Sequence, residues 1–337
     1  MPRFTVTITD NTFAPLDIER RLFATIDAEV RFANVLDEQQ VIDLADGSDA
    51  ILCDGAIISR RVLAALPTVK VVSEYGIGYD NIDVAAATEL GVWVTNVPTF
   101  CTDDVADHAV AMTMSLARRL PALDALVRSG GWGATAAGPI KRSSQQTIGI
   151  VGFGHIGQAI ARKARGIGFN VVAFSPTLTP ERAAAHGTTA LPISELFSRS
   201  DYVILAAPAT ATSKGMIGPD ALRQMRKSAY LINVGRGSLV DEPALIEALR
   251  SGTIAGAALD VFASEPPQTE NPLLSMSNVL LTPHAGFYSE QSLNDLQIGA
   301  AENAIAVLLG NHPVSPVNPE VSANTRAGRE THLRASQ

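Results

Sequence analysis

A strand-length apolar run, TIGIV, leads directly into Gly152-Phe-Gly154-His-Ile-Gly157 and from there into QAIARKARGIG, a segment of helical period. That order constrains the chain more than any other feature. Three glycines at this spacing build a tight strand-to-helix turn: the first permits the bend, the second lets a pyrophosphate approach the backbone, and the third lets helix and strand touch. The helix N-terminus adds unbonded N–H groups and the positive end of its dipole. The turn reads as a dinucleotide site.

Strand and helix signals continue on both sides of it. Downstream come FNVVAFS, DYVILAA, AYLINVG, AGAALDV and NVLLTPH, each separated by a helix-length stretch. Upstream, between residues 3 and 97, FTVTI, EVRFANV, AILCD and VKVVSEY alternate with the helical patterns of residues 16–26, DEQQVIDLA and RRVLAAL. Both series predict an α/β architecture of parallel sheets layered with helices, that is, two doubly wound domains. A length of 337 residues with 46% hydrophobic content is enough for two cores. One amphipathic helix, capped by Thr102 or Asp103 and ending before Gly130, Gly131 and Gly133, bridges the two. A last helix closes at Gly310 and returns to the first domain. The expected division is residues 1–100 with 288–320 for the smaller domain, 101–287 for the dinucleotide domain and 321–337 as a loose tail.

A net charge of −8 disfavours nucleic acid as a ligand. No window reaches the roughly 18 consecutive apolar residues of a membrane span, and the opening MPRFTVTITD lacks a leader pattern, so a soluble, cytoplasmic protein is expected. Cys53 and Cys101 are too few for a metal cluster and read as buried free thiols. No pair among His108, His155, His186, His312 and His332 has metal spacing, no metal is expected, and none of these histidines stands out as a catalytic candidate.

Several further motifs follow in order: Tyr75-Gly-Ile-Gly78-Tyr-Asp80-Asn81, Asn233-Val-Gly-Arg236-Gly237, Ala258-Leu-Asp260-Val-Phe, Ser264-Glu265-Pro266 and Thr282-Pro-His284-Ala-Gly286. With the glycine turn, they make the chain resemble the D-isomer-specific 2-hydroxyacid dehydrogenase family from about residue 45 to 318. Pro283-His284-Ala285 followed by Tyr288-Ser289-Glu290-Gln291 is similar to the branch that holds the C-terminal-binding-protein corepressors. The resemblance implies a Rossmann cofactor domain, a smaller discontinuous flavodoxin-like substrate domain, and a homodimer formed through the bridging helix and the glycine loop after it. It also implies hydride transfer between a nicotinamide dinucleotide and a small 2-oxo or 2-hydroxy acid of D configuration. A rival reading from the same branch is a dinucleotide-sensing scaffold. Formate-type relatives are disfavoured, because they carry glutamine where this chain has Glu265.

The residue types suit that chemistry. Reduction of a 2-oxo acid needs a proton donor at the carbonyl oxygen, a cation for the carboxylate and an ordered nicotinamide. His284, Arg236 and Asp260 fill these roles and follow the ends of strands, where ligands of open α/β sheets gather. Glu265 would hold the His284 imidazole and keep a proton available near neutrality. By resemblance the cofactor set is Gly152, Gly154, His155, Ile156, Gly157, Ser175, Pro208, Val234, Gly235, Arg236, Asp260, His284 and Gly286, and the substrate set is Gly76, Ile77, Gly78 and Arg236.

Two positions bear on selectivity. Ser175 stands where an acidic residue usually accepts the adenosine ribose hydroxyls, so NADP is permitted beside NAD and is slightly favoured. No base follows Ser175 immediately, and the nearest downstream is Arg182. The loop CDGAII has Asp54 but no Arg or Lys, which favours glyoxylate, hydroxypyruvate or a modest apolar 2-oxo acid over a phosphorylated one.

Overall fold

The computed structural model describes residues 2–11 and 15–323. It divides into two compact units, residues 1–100 with 289–337 and residues 101–288.

The first unit runs β1 (Phe4–Ile8), α1 (Asp17–Ala24), β2 (Ala28–Phe32), α2 (Glu38–Ala45), β3 (Ala50–Cys53), α3 (Arg60–Ala65), β4 (Val71–Glu74), α4 (Val84–Leu90) and β5 (Trp93–Thr95). Its sheet is parallel throughout, in the order β2-β1-β3-β4-β5. Helices cover both faces of such a sheet, so its inner strands carry no polar alternation. Every residue of β3 and β4 is buried, which is why AILC reads as an unbroken apolar run. The Asp37 and Asp83 side chains cap α2 and α4 by accepting first-turn N–H groups. The sequence pattern ended at VKVVSEY and omitted α4 and β5. The first is alanine-rich and the second only three residues long, so neither has a strong period.

The second unit runs α5 (Thr102–Ala117), α6 (Leu120–Arg128), β6 (Thr147–Val151), α7 (His155–Ile167), β7 (Asn170–Phe174), α8 (Pro180–Ala185), β8 (Thr189–Ala190), α9 (Ile193–Arg199), β9 (Tyr202–Leu205), α10 (Pro219–Gln224), β10 (Tyr230–Asn233), α11 (Glu242–Arg250), β11 (Gly256–Leu259) and β12 (Val279–Leu281). Its seven strands are parallel in the order β12-β11-β10-β9-β6-β7-β8. The order reverses at β6, so the loops after β6 and β9 diverge and leave a crevice at the carboxyl ends. Val203, Leu205, Leu231 and Ala257 are fully buried in one cluster of this unit. Removal of a side chain as large as Leu231 from water contributes about 2–3 kcal/mol.

The predicted bridging helix is in fact two. It breaks at Arg119, whose φ of 53° is left-handed, and α6 restarts with Pro121 in its first turn, the place where a residue without an N–H fits. Neither Thr102 nor Asp103 caps α5. Cys101 is the cap residue, and the Asp103 carboxylate instead meets Arg162 and Lys163 of α7. Both cysteines are buried free thiols, and burial pushes Cys101 up to about 12.

The chain then returns to the first unit in α12 (Glu290–Leu308), started by a capping box between Ser289 and Ser292. Leu296, Ala300, Ala301 and Ala304 of this helix join Val6, Ile8 and Phe23 in the core, and the Ser73 hydroxyl donates to the Ala300 carbonyl. Val321, the first residue of the expected tail, is buried in a short turn over Pro319–Ala323. Residues 324–337, His332 included, lie outside the described residues. Among the described residues no helix is long and apolar enough to cross a membrane.

Candidate active site

At the end of β6 the three glycines differ in what surrounds them. Gly152 has φ of 97°, and a Cβ there would lie 2.5 Å from the Ala206 carbonyl oxygen. A Cβ on Gly157 would lie 2.1 Å from the Gly152 oxygen, so its absence lets α7 sit on the turn. Gly154 has no heavy atom within 4 Å of that position. It is the cap residue of α7, it has no capping side chain, and it is exposed with His155 beside it. An open glycine at the N-terminus of a 13-residue helix fits a dinucleotide pyrophosphate. Ile156 and Gly157 complete the first turn of that helix.

Ser175 follows β7 directly. Arg182, in α8, turns back and donates to the Thr177 carbonyl at 3.3 Å. The base that is seven residues away in sequence is thus folded onto the loop that Ser175 opens. Pro208 follows β9, where its carbonyl accepts from Ser213. Val234 and Gly235 follow β10.

Arg236 is positioned by that last loop. Asn233 accepts the Gly235 N–H with its side-chain oxygen and donates its amide to the Arg236 carbonyl, clasping the turn from within. Gly237 packs so closely on the next loop that a Cβ would meet the Phe262 carbonyl at 1.8 Å. Glu265 and His284, 19 residues apart, meet through Oε2 and Nδ1 at 2.7 Å. The other Glu265 oxygen accepts the Phe262 N–H at 2.9 Å. Burial works against the Glu265 charge, but His284, the Phe262 N–H and Arg236 outweigh it and hold the carboxyl below its ordinary range. An ionised carboxylate only accepts, so Nδ1 carries the donated proton and Nε2 is the ring nitrogen that Glu265 does not engage.

Asp260 is 2% exposed. Its carboxylate accepts from the Thr282 hydroxyl at 2.6 Å, the Ala285 N–H at 2.8 Å and the Gly286 N–H at 2.9 Å, while its own carbonyl accepts the His284 N–H at 2.7 Å. His108 of α5 reaches the same group, with Nε2 3.0 Å from the Thr282 oxygen and 3.4 Å from Asp260. Burial again opposes the charge, and the hydrogen bonds from His108, Thr282, Ala285 and Gly286 bring the carboxyl below its ordinary value.

In the first unit, Gly76, Ile77 and Gly78 form the turn after β4, where Asn96 donates to the Ile77 carbonyl at 2.7 Å. Glu74 beneath it is buried, receives Asn81 and the Cys53 thiol, and is pushed well above the ordinary carboxylate range by burial. Asp10 accepts the Asp54 and Gly55 N–H groups of the CDGAII loop.

Arg236, Asp260, Glu265, His284 and Gly286 therefore share the carboxyl end of β10, β11 and β12, the glycine turn and Ser175 lie at β6 and β7, and the Gly76 loop belongs to the other unit. Sequence reasoning missed the bracing by Asn233, Thr282 and the Phe262 N–H. Asn233 and Thr282 open the motifs that contain Arg236 and His284, which is the signal that could have found them. His108 carries no local signal, because its partner Asp260 lies 152 residues further along.

Residues 110–286 match the family described as D-isomer specific 2-hydroxyacid dehydrogenase, NAD binding domain. A glyoxylate reductase of Korarchaeum cryptofilum is 37% identical over 321 residues, covering 89% of this chain and 96% of its own. One from Thermococcus onnurineus is 42% identical over 81% of this chain and 83% of its own. Among solved structures, a glyoxylate reductase from Paecilomyes thermophila superposes with a TM-score of 0.84 at 27% identity, covering 95% of this chain and 99% of its own. The chain belongs to the D-isomer specific 2-hydroxyacid dehydrogenase family.

Proposed function

We propose that this protein is an NAD(P)-dependent oxidoreductase that reduces a small 2-oxo acid, such as glyoxylate or hydroxypyruvate, to the D-2-hydroxy acid, and runs the reverse reaction when concentrations favour it. The observation that carries the reading is the Glu265–His284 pair at the carboxyl end of a sheet whose first turn is open at Gly154. The reduced nicotinamide supplies the hydride when bound. His284 gives the carbonyl oxygen a proton from Nε2, and in oxidation takes it back. Glu265 holds the ring through Nδ1, so the ring turns one nitrogen to the substrate and gains a counter-charge when protonated. Arg236 is assigned to the substrate carboxylate, where a planar guanidinium binds with two parallel hydrogen bonds. The turn of Gly76, Ile77 and Gly78 is assigned to substrate on its motif.

The finer assignments are proposals as well. A 2-oxo acid without phosphate fits the CDGAII loop, which Asp10 holds and which brings Asp54 but no cation. NADP is favoured over NAD because Ser175 brings no carboxylate and Arg182 folds back to Thr177. A cytoplasmic homodimer suits two unpaired buried thiols and the exposed Leu120, Val127 and Trp132 of α6 and the loop after it. The similar proteins from Korarchaeum cryptofilum, Thermococcus onnurineus and Paecilomyes thermophila are glyoxylate reductases, which favours turnover over a purely sensing role.

The test is to follow cofactor absorbance with NADH or NADPH and a panel of glyoxylate, hydroxypyruvate, pyruvate, phenylpyruvate and 3-phosphohydroxypyruvate. Glyoxylate or hydroxypyruvate should lead, and His284→Ala should lose about a hundredfold to ten-thousandfold in kcat. A wild-type protein that binds dinucleotide tightly and reduces none of them would overturn the reading.

A further inference from the structure

His284 has φ of 52°, left-handed backbone that a residue with a Cβ keeps only where its surroundings over-determine it. Here the backbone N–H groups share one anchor. Three successive N–H groups, from His284, Ala285 and Gly286, all end on Asp260, the first on its carbonyl and the next two on its two carboxylate oxygens. This is a nest of backbone donors closed around an anion. The carboxylate is in turn held from behind. The Thr282 hydroxyl has one proton and gives it to Asp260 Oδ1, so His108 Nε2, 3.0 Å from the Thr282 oxygen, must present an N–H to it. The donor order therefore runs from His108 to Thr282 to Asp260. The fit is tight, since a Cβ on Gly286 would lie 2.8 Å from Asp260 Oδ2 and 3.4 Å from the His108 ring. Asp104 and Asp107 of α5 line the pocket that His108 shares with Ala285 and Gly286, and Lys163 of α7 pairs with Asp107.

We propose that His108 is a positioning residue: through Thr282 it clamps Asp260 onto the turn of residues 284–286 and thereby holds His284 in the backbone conformation that presents its ring. The inference rests on the reading of His284 as the proton donor. It also gives Asp260 a second task besides its expected contact with the nicotinamide. Three of the roughly four acceptor sites of its carboxylate are taken by Thr282, Ala285 and Gly286, so most of what it holds is this turn.

The test uses the full chain as wild type, His108→Leu, His108→Gln and Thr282→Val, with amide hydrogen exchange followed by mass spectrometry and kcat measured in parallel. Exchange needs neither cofactor nor substrate. Loss of a hydrogen bond to a charged group should speed exchange of residues 282–288 about tenfold in His108→Leu and Thr282→Val, with α5 and β11 unchanged. His108→Gln, which keeps a side-chain N–H donor, should exchange more like wild type. The kcat should fall about tenfold in His108→Leu and Thr282→Val while the KM for cofactor stays within about twofold. Unchanged exchange in residues 282–288 would overturn the proposal, as would uniform acceleration across residues 101–288, which marks a role in stability alone. Thr282→Val is the milder change and decides the matter if His108→Leu does not fold. A wild-type protein with no turnover would count against the assigned function, and the exchange result would still judge the clamp.

Discussion

His284 Nδ1 lies 2.7 Å from Glu265 Oε2, and the opposite oxygen of that carboxylate is tied to the Phe262 N–H. The carboxylate is thus fixed at both oxygens, and the ring it holds is fixed with it. Half-exposure of both side chains screens the pair, so it contributes little to stability and acts mainly to orient the ring.

Glu265→Gln should lower kcat about tenfold to a hundredfold and leave the fold intact. The Glu265 carboxyl is held below its ordinary value, so its negative charge is present throughout the neutral range and is lost as pH falls through that depressed value. In the variant the imidazolium loses its counter-charge, and the pH of fastest reduction should move down. Profiles of kcat/KM against pH for both proteins measure this, and an unmoved optimum would count against the pairing role.

Asp260→Asn should destabilise the second unit by about 3 kcal/mol at pH 7, because a buried acceptor of several donors becomes an amide that satisfies them poorly. The Asp260 carboxyl is depressed, so its ionised form stabilises the fold above the ordinary value of 3.8 and loses that effect as pH falls through the lowered one. Denaturant titrations at pH 7 and near pH 3 should therefore show a gap between wild type and variant that narrows in acid.

Gly154→Ala and Gly157→Ala should separate binding from folding. A methyl at 154 meets nothing in the protein and would project into the proposed pyrophosphate position, so Tm should stay within about 2 °C while dinucleotide affinity falls about tenfold or more. A methyl at 157 would drive into the Gly152 carbonyl, so Tm should fall with or without ligand. Calorimetric titration and thermal melts of both variants check the contrast.

Ser175→Asp should raise the KM for NADPH about tenfold to a hundredfold and affect NADH little, since a carboxylate at the end of β7 repels a 2′-phosphate. Equal effects on the two cofactors would show that Ser175 does not face the adenosine ribose.

The sequence by itself determined the parallel α/β class, because buried strands such as AILC and YVIL leave an unbroken apolar signature and the glycine turn admits one strand–helix geometry. It also marked Arg236, Glu265 and His284, whose motifs are short and local. It failed where the deciding interaction is distant or weakly periodic: the break at Arg119, the cap of α5, the alanine-rich α4 and the short β5. Only the tertiary structure decided that Arg182 folds back toward the loop opened by Ser175 and that His108, by pattern an unremarkable residue on a helix, reaches Thr282 and Asp260. The physical reason is common to these cases. Periodicity and turn chemistry report what a residue does to its near neighbours along the chain, whereas a hydrogen bond between groups 152 or 174 residues apart exists only after parallel strands and their helices have packed.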